Sequence, residues 1–181
     1  MTQLTPAINS NDHIFGNTDA QLELVEYGDY ECPYCGRAYP LVKDIKQQLG
    51  NQMKFVFRNF PLAKIHPHAL SAAVATEAAA LQGRFWEMHD IVFENQRALD
   101  DENILLMANH IGLNLEQFKN DIQLKSLMDK VLKDFDSAIR SGVNRTPSFY
   151  INGKKYEGDW QQGELLPYLQ RQLADASILQ G

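Results

Sequence analysis

The two cysteines of the chain, Cys32 and Cys35, are the residues whose type and spacing most directly indicate chemistry. A C-x-x-C pair can be a redox-active dithiol, half of a zinc site or a pair of inert core thiols. A cysteine at the junction of a strand and a helix lies near free backbone N–H groups and the positive end of the helix dipole. That position lowers the thiol pKa and favours the nucleophilic thiolate. Cys32 would then attack a disulfide, and Cys35 would resolve the intermediate.

A zinc site is the main alternative for this pair. Structural zinc usually has four protein ligands, supplied by a second cysteine pair or by two suitably spaced histidines. The chain has no second pair, and none of its histidines forms an H-x3–5-H arrangement; they are His13, His66, His68, His89 and His110. We therefore predict no metal and no cofactor. His66 and His68 are interpreted as caps of the helix that follows them.

Glu26 is the candidate proton acceptor for Cys35. It lies six residues before Cys32 on a predicted strand over residues 21–27. Strand alternation places it on the same face as Leu22 and Leu24, which is apolar. Burial among leucines would raise the carboxyl pKa toward the range useful for proton transfer. The alternative is a glutamate exposed to solvent at the end of the strand.

The elements that must position these residues form a βαβ unit. The strand over residues 21–27 ends at Gly28 and Asp29, and a helix is predicted over residues 34–49, with Pro40 inside it. A second strand follows over residues 53–58. We expect a right-handed crossover between two parallel strands.

Residues 63–137 are predicted to be an all-helical insertion, because their apolar residues recur at spacings of three and four. Asn114 with Gln117 resembles a capping box within it. The chain then returns to strands, with Asn152-Gly153 as the turn of a hairpin over residues 148–156. A closing helix carries Pro167 in its first turn.

These elements give an α/β fold of order βαβ…ββα with a helical insertion. We expect an N-terminal arm over residues 1–19, in which regular structure is absent, and one domain formed by residues 20–62 and 138–181. Residues 63–137 would interrupt that domain.

Length and composition describe one globular domain, since 181 residues with 44% hydrophobic side chains can bury a core without disulfide or metal staples. The net charge of −6 and the lack of a basic tract argue against nucleic acid as a partner. No apolar stretch reaches the ~20 residues of a membrane span. The first twenty residues lack the features of a secretory signal. The sequence as written therefore predicts a cytoplasmic protein, or a periplasmic or extracytoplasmic one if a signal peptide has been removed.

Four stretches, together with the order of elements, resemble the DsbA-like branch of thiol-disulfide oxidoreductases in the thioredoxin superfamily. They are VEYGDYECPYC at 25–35, FRNFPL at 57–62 leading to HPHA at 66–69, FWEMH at 85–89, and GVNRTPSF at 142–149. The resemblance extends from about residue 14 and includes the insertion. It implies a thioredoxin fold and an enzyme that exchanges disulfides with protein substrates. A redox partner protein or a small thiol would recycle it.

The resemblance also implies a role for each site residue. Cys32 would be the nucleophile, Cys35 the resolving thiol and Glu26 the group that assists proton transfer. Pro147 would be a cis-proline against the cysteines, and Thr146 would offer backbone hydrogen bonds to an extended substrate. Further contacts to substrate would come from Pro33, Tyr34, Tyr30 and Phe149, the three aromatic residues forming an apolar docking surface.

Tyr34 is the main departure from the strongly oxidising member of that family, which carries histidine at this position. A tyrosine cannot carry the positive charge that supports a neighbouring thiolate. We therefore place the reduction potential between about −270 mV, the value of thioredoxin, and about −120 mV, the value of that oxidising member. Two other functions remain open: a non-catalytic module of the same fold that binds peptides or regulates, and a glutathione-linked isomerase or transferase. The intact cysteine pair argues against the latter.

Overall fold

A five-stranded mixed sheet is at the centre of the computed structural model, which describes residues 2–178. The strands are β1 (Ile14–Gly16), β2 (Leu22–Gly28), β3 (Met53–Asn59), β4 (Ser148–Ile151) and β5 (Lys154–Lys155). They lie in the order β1-β3-β2-β4-β5. Helix α1 (Pro33–Leu49) connects β2 to β3, which are parallel, and the other strand pairs are antiparallel. The predicted βαβ unit and hairpin are confirmed.

The central position of β2 puts its residues between two neighbours. Glu26 pairs with Phe57 of β3 and with Phe149 of β4. Leu22 and Leu24 belong to the larger core cluster, which includes both cysteines, residues of α1 and most of the other helices. Alternate residues of β2 belong to a second cluster on the opposite face. Both faces of the strand are therefore buried.

The predicted helical insertion is also observed. Its helices are α2 (Ala69–Ala80), α3 (Phe85–Glu94), α4 (Asp101–His110), α5 (Leu115–Asp121) and α6 (Lys125–Arg140). Asn114 caps α5 by accepting a hydrogen bond from the Gln117 N–H at 3.0 Å. The reciprocal bond of a capping box comes instead from Gln82, whose Oε1 accepts from the Asn114 N–H. Helix α6 continues to Arg140, past the boundary that we predicted for the insertion.

The last elements follow the turn chemistry of the sequence. Asn152 and Gly153 both have positive φ angles, 47° and 76°, as the tight turn between β4 and β5 requires. Helix α7 (Leu165–Ile178) carries Pro167 as its third residue, where a missing N–H costs no helical hydrogen bond.

The N-terminal arm differs from our prediction, because it contains regular structure. Residues Ile14–Gly16 form β1 and pair with β3 at the edge of the sheet. Leu4 is buried in the second core cluster. The Asp12 carboxylate pairs with the buried guanidinium of Arg58 at 2.8 Å. A three-residue strand is too short to show a recognisable alternation of apolar and polar residues in the sequence. Pairing with β3 is what makes this segment a strand.

Within residues 2–178, no helix is both long enough and apolar enough to cross a bilayer.

Candidate active site

Cys32 is the N-cap residue of α1, the position that its sequence context predicts. Its backbone is extended, Pro33 is the first helical residue, and the Cys32 carbonyl accepts the first helical hydrogen bond, from the Gly36 N–H at 3.0 Å. Cys35 lies one turn further along. Both cysteines are free thiols, and both are buried, with 4% of Cys32 and 0% of Cys35 exposed.

The surroundings of Cys32 favour its thiolate. A hydrogen bond from the Cys35 thiol is the main cause that lowers the Cys32 pKa to about 5, although burial acts against it. Weaker contributions come from Thr146 and from the backbone N–H groups of Cys35 and Tyr34 in the first turn of the helix. When Cys32 is protonated, its thiol donates to the Thr146 carbonyl, with Sγ and O 3.7 Å apart. Cys32 is therefore the more nucleophilic sulfur at neutral pH.

Cys35 has the opposite electrostatic environment. Burial raises its pKa well above the usual value, and the hydrogen bond to Cys32 and the charge of Glu26 act in the same direction. The Asp29 N–H donates to its sulfur at 3.4 Å and partly offsets this effect. Cys35 therefore keeps its proton until a nearby base removes it.

Glu26 is buried, with 3% of the residue exposed, so the solvent-exposed alternative is wrong. Burial raises its pKa to about 8. The Lys46 ammonium of α1 lowers this value and the Cys32 charge raises it. Lys46 is itself buried, 4.2 Å above the ring of Phe15 and 4.6 Å above that of Trp86.

The loop before β4 lies against Cys32. The peptide bond between Thr146 and Pro147 is cis. The Thr146 hydroxyl is buried and hydrogen-bonds to no other described group, which leaves it free to stabilise a Cys32 thiolate. A cavity of about 690 Å³ opens above this contact. Its lining brings together five residues singled out from the sequence, namely Cys32, Pro33, Tyr34, Thr146 and Pro147.

The three aromatic residues predicted to form a docking surface do not share one exposed surface. Tyr34 is 51% exposed at the cavity, whereas Tyr30 and Phe149 are buried at 1% and 2%. The Tyr30 hydroxyl hydrogen-bonds to Nδ1 of His89 in the core, 3.0 Å away. The exposed apolar residue that the sequence did not single out is Ile65, 69% exposed at the same cavity.

Asp29 and His66 are site residues that the sequence analysis missed. Nδ1 of His66 lies 2.7 Å from the Asp29 carboxylate, and His66 lines the cavity. The interpretation of His66 and His68 as helix caps is wrong for their side chains, since His68 is the N-cap of α2 but makes no side-chain capping bond. Residues 37 positions apart give no local signal of such a pair.

The described part of the chain contains no cluster of three or more side chains suited to hold a metal ion.

Comparison with known proteins agrees with this geometry. A family model described as Thioredoxin matches residues 8–171. The chain is 39% identical over 172 residues to a Na(+)/H(+) antiporter NhaA 1 of Mycobacterium sp. (strain KMS). The match covers 94% of this chain and 28% of the antiporter, so the chain spans little more than a quarter of that relative.

Two solved structures have a similar fold. A thioredoxin-like oxidoreductase from Silicibacter pomeroyi DSS-3 has a TM-score of 0.79 at 26% identity, covering 90% of this chain and 92% of that one. The α-DsbA1 protein of Wolbachia pipientis has a TM-score of 0.83 at 23% identity, with full coverage of both chains. The helical insertion is thus part of the shared fold.

Proposed function

The chain belongs to the thioredoxin family, and from that premise we propose that it is a thiol-disulfide oxidoreductase that exchanges disulfides with protein substrates through Cys32 and Cys35. The observation that carries the proposal is the contrast between two thiols one helical turn apart. The pKa of Cys32 is lowered to about 5, and that of Cys35 is raised. Cys32 would therefore attack as a thiolate, and Cys35 would stay protonated until it resolves the mixed disulfide.

The reaction begins with attack of the Cys32 thiolate on a substrate disulfide. A bond forms between Cys32 Sγ and one substrate sulfur, the substrate S–S bond breaks, and the second substrate sulfur leaves with the electron pair. Cys35 then loses its proton and attacks Cys32 Sγ. The Cys32–Cys35 disulfide forms, the remaining substrate sulfur leaves, and two electrons have passed to the substrate. The same steps in reverse oxidise a substrate dithiol.

Glu26 is the proposed acceptor of the Cys35 proton. Its pKa of about 8 includes a contribution from the Cys32 charge. Formation of the mixed disulfide removes that charge, so Glu26 becomes a better-ionised base at the step in which Cys35 must be deprotonated. The charge of Lys46 acts in the same direction.

The cavity beside Cys32 is the proposed binding site for an extended protein substrate. Thr146 would offer backbone hydrogen bonds to the substrate chain, with Pro147 against the sulfurs. Pro33 and the exposed ring of Tyr34 would contact neighbouring side chains. A redox partner protein or a small thiol would restore the starting state, since the chain has only these two cysteines.

Trapping of mixed disulfides tests this proposal. Replacement of Cys35 by serine removes the resolving thiol, so substrate should accumulate covalently on Cys32 and be released by dithiothreitol. The wild-type protein should also catalyse reduction of insulin by dithiothreitol, whereas Cys32→Ser should not. Failure of both trapping and insulin reduction would overturn the proposal. Activity in cells that survives Cys32→Ser would favour the non-catalytic binding module instead.

A further inference from the structure

The loop between β3 and α2 places a histidine at the cavity beside Cys32. His66 lines that cavity, and 15% of its side chain is exposed. Its Nδ1 lies 2.7 Å from Oδ2 of Asp29, whose side chain is 0% exposed. Because Nδ1 is engaged on the buried side, Nε2 is the ring nitrogen left to meet a molecule in the cavity.

Backbone hydrogen bonds hold the Asp29 carboxylate in place. Its Oδ1 accepts from the N–H groups of Glu31 and Cys32, at 2.8 Å and 3.2 Å, and its Oδ2 accepts from the Leu62 N–H at 2.8 Å. One carboxylate thus joins the turn that carries Cys32 to the loop that carries His66. A fixed carboxylate on Nδ1 sets the tautomer and orientation of an imidazole.

We propose that His66, oriented by Asp29, transfers a proton to the substrate sulfur that departs when Cys32 attacks a substrate disulfide. In the reverse step, His66 accepts that proton. This inference rests on the proposed function. As the Cys32–sulfur bond forms and the substrate S–S bond breaks, the leaving sulfur takes the electron pair and the Nε2 proton, and departs as a thiol. In reverse, neutral His66 takes the proton of the second substrate thiol as that sulfur attacks the mixed disulfide between Cys32 and the first substrate sulfur; the substrate disulfide forms again, and Cys32 leaves with the electron pair.

The chemistry of the substrate explains why such a donor helps. Cysteine thiols have a pKa of about 8.5, so their thiolates are poor leaving groups at neutral pH, and departure depends on that pKa. Tyr34, between the two cysteines, cannot supply a proton from a cationic ring. His66 supplies it from a different loop.

Other charged groups lie near His66, but its ring hydrogen-bonds to Asp29. Arg145, Glu157 and Asp159 line the same cavity. The Glu31 carboxylate accepts from the His68 backbone N–H at 2.6 Å. Within residues 2–178, Asp29 is the group that hydrogen-bonds to the His66 ring.

The experiment compares two disulfides that differ in their need for a proton. Bis(2-hydroxyethyl) disulfide releases an alkyl thiol, whereas dithiobis(nitrobenzoate) releases a thiolate that is stable without a proton. Both react with a Cys35→Ser protein, so that only formation of the Cys32 adduct is measured, by rapid acid quench and mass spectrometry. His66→Asn retains an amide N–H for Asp29 and removes Nε2.

In the Cys35→Ser protein, His66→Asn should lower the rate of Cys32 adduct formation with the alkyl disulfide about a hundredfold. The rate with the aromatic disulfide should stay within about twofold of its value without the substitution. His68→Asn, the same change two residues away, should leave both rates unchanged. Equal slowing of both disulfides would assign His66 a structural role or a role in Cys32 thiolate formation, and no slowing would give it no role. Either result overturns the inference.

A second readout uses no change at His66. In the Cys35→Ser protein, the ratio of alkyl to aromatic rates should fall through one ionisation as pH rises, and a flat ratio contradicts the inference even if His66→Asn fails to fold. If Cys32 reacts with neither disulfide, the proposed function itself fails. If it reacts with both at a pH-independent ratio, only the role of His66 fails.

Discussion

At the scale of single residues, one turn of helix separates two thiols whose pKa values are shifted in opposite directions. The hydrogen bond from the Cys35 thiol is the main cause that lowers the Cys32 pKa, and the backbone N–H groups of the first turn add less, whereas Cys35 is enclosed by the core. Strand and helix signals that flank the pair predict the direction of the Cys32 pKa shift, but this prediction attributes it to the helix N-terminus, which contributes less than the Cys35 thiol. The sequence was sufficient to predict burial of Glu26 from the alternation of β2.

Thr146 provides a test of how the Cys32 thiolate is stabilised. Its hydroxyl contributes to the lowered pKa of Cys32, and hydrogen bonds to charged groups are worth about 1.5–3 kcal/mol. Thr146→Val should therefore raise the Cys32 pKa by roughly one unit or more. The midpoint of iodoacetamide alkylation against pH measures it, with a wild-type value of about 5. Thr146→Ser retains the hydroxyl and should keep the wild-type midpoint; an unchanged midpoint in Thr146→Val would refute the assignment.

Glu26 predicts a pH dependence of stability. Its pKa is 4.5 in the reference state and about 8 in the folded protein, so between these values the folded chain holds a proton that the unfolded chain has released. The free energy of unfolding contributed by Glu26 therefore falls as pH rises through this window. Glu26→Gln removes the effect, and the variant should gain stability over wild type by roughly 1.4 kcal/mol per pH unit.

Urea unfolding at a series of pH values from 4 to 9 measures this difference. Glu23→Gln is the matched control on the same strand, since the Glu23 carboxylate is 27% exposed and pairs with Lys54. The difference in free energy of unfolding between Glu23→Gln and wild type should change much less with pH. A pH-independent difference between Glu26→Gln and wild type would mean that Glu26 is not held protonated by burial.

The pair of Asp29 and His66 marks the limit of prediction at this scale. Aspartate after a strand and histidine before a helix each have an ordinary local explanation, as a turn residue and as a cap. Only the packing of two loops brings them to 2.7 Å.

At the scale of elements, the helical insertion braces the turn that carries Cys32. Gln96, after α3, donates through Nε2 to the carbonyls of Tyr30 and Cys32 at 2.9 Å and 2.7 Å. Gly36 allows this approach, because a Cβ there would lie 2.1 Å from Oε1 of Gln96. The insertion therefore supports the active-site turn as well as covering it.

Removal of the Gln96 amide should weaken this brace. Gln96→Met leaves two carbonyls without that donor and should lower the free energy of unfolding by about 1–3 kcal/mol. Arg97→Met, an exposed neighbour, should change it by no more than about 0.5 kcal/mol. Chemical denaturation measures both; equal effects of the two substitutions would mean that Gln96 has no bracing role.

The helices of the insertion were predictable because each carries its own apolar period, whereas β1 was not. Strand β1 has three residues and lies in a polar segment, and its pairing with β3 is a tertiary interaction. Likewise, no local signal indicated that Gln82 rather than Gln117 completes the cap of α5.

At the scale of the whole molecule, a buried ion pair ties the arm to the sheet. Arg58 of β3 is 2% exposed in its side chain and Asp12 is 3% exposed. Arg58 also donates to the carbonyls of Pro6 and Ala7 and to the Tyr27 hydroxyl. Net charge and composition could not reveal that the first residues complete the fold in this way.

Asp12→Ala should leave the Arg58 charge buried without a carboxylate and lower the free energy of unfolding by about 3–5 kcal/mol. Asp19→Ala, at an exposed position in the same arm, should have little effect. Thermal denaturation followed by circular dichroism compares the two. A near-neutral Asp12→Ala would mean that the ion pair with Arg58 does not stabilise the fold.

Equilibration with glutathione measures whether Cys32 and Cys35 of the intact protein form a reversible disulfide. The wild-type protein, incubated at defined ratios of reduced to oxidised glutathione and quenched with acid, is scored by mass for free thiols and for the Cys32–Cys35 disulfide. We expect a single two-electron transition with a midpoint between about −270 and about −120 mV. A protein that forms no internal disulfide at any ratio, or only a glutathione adduct, would contradict this expectation.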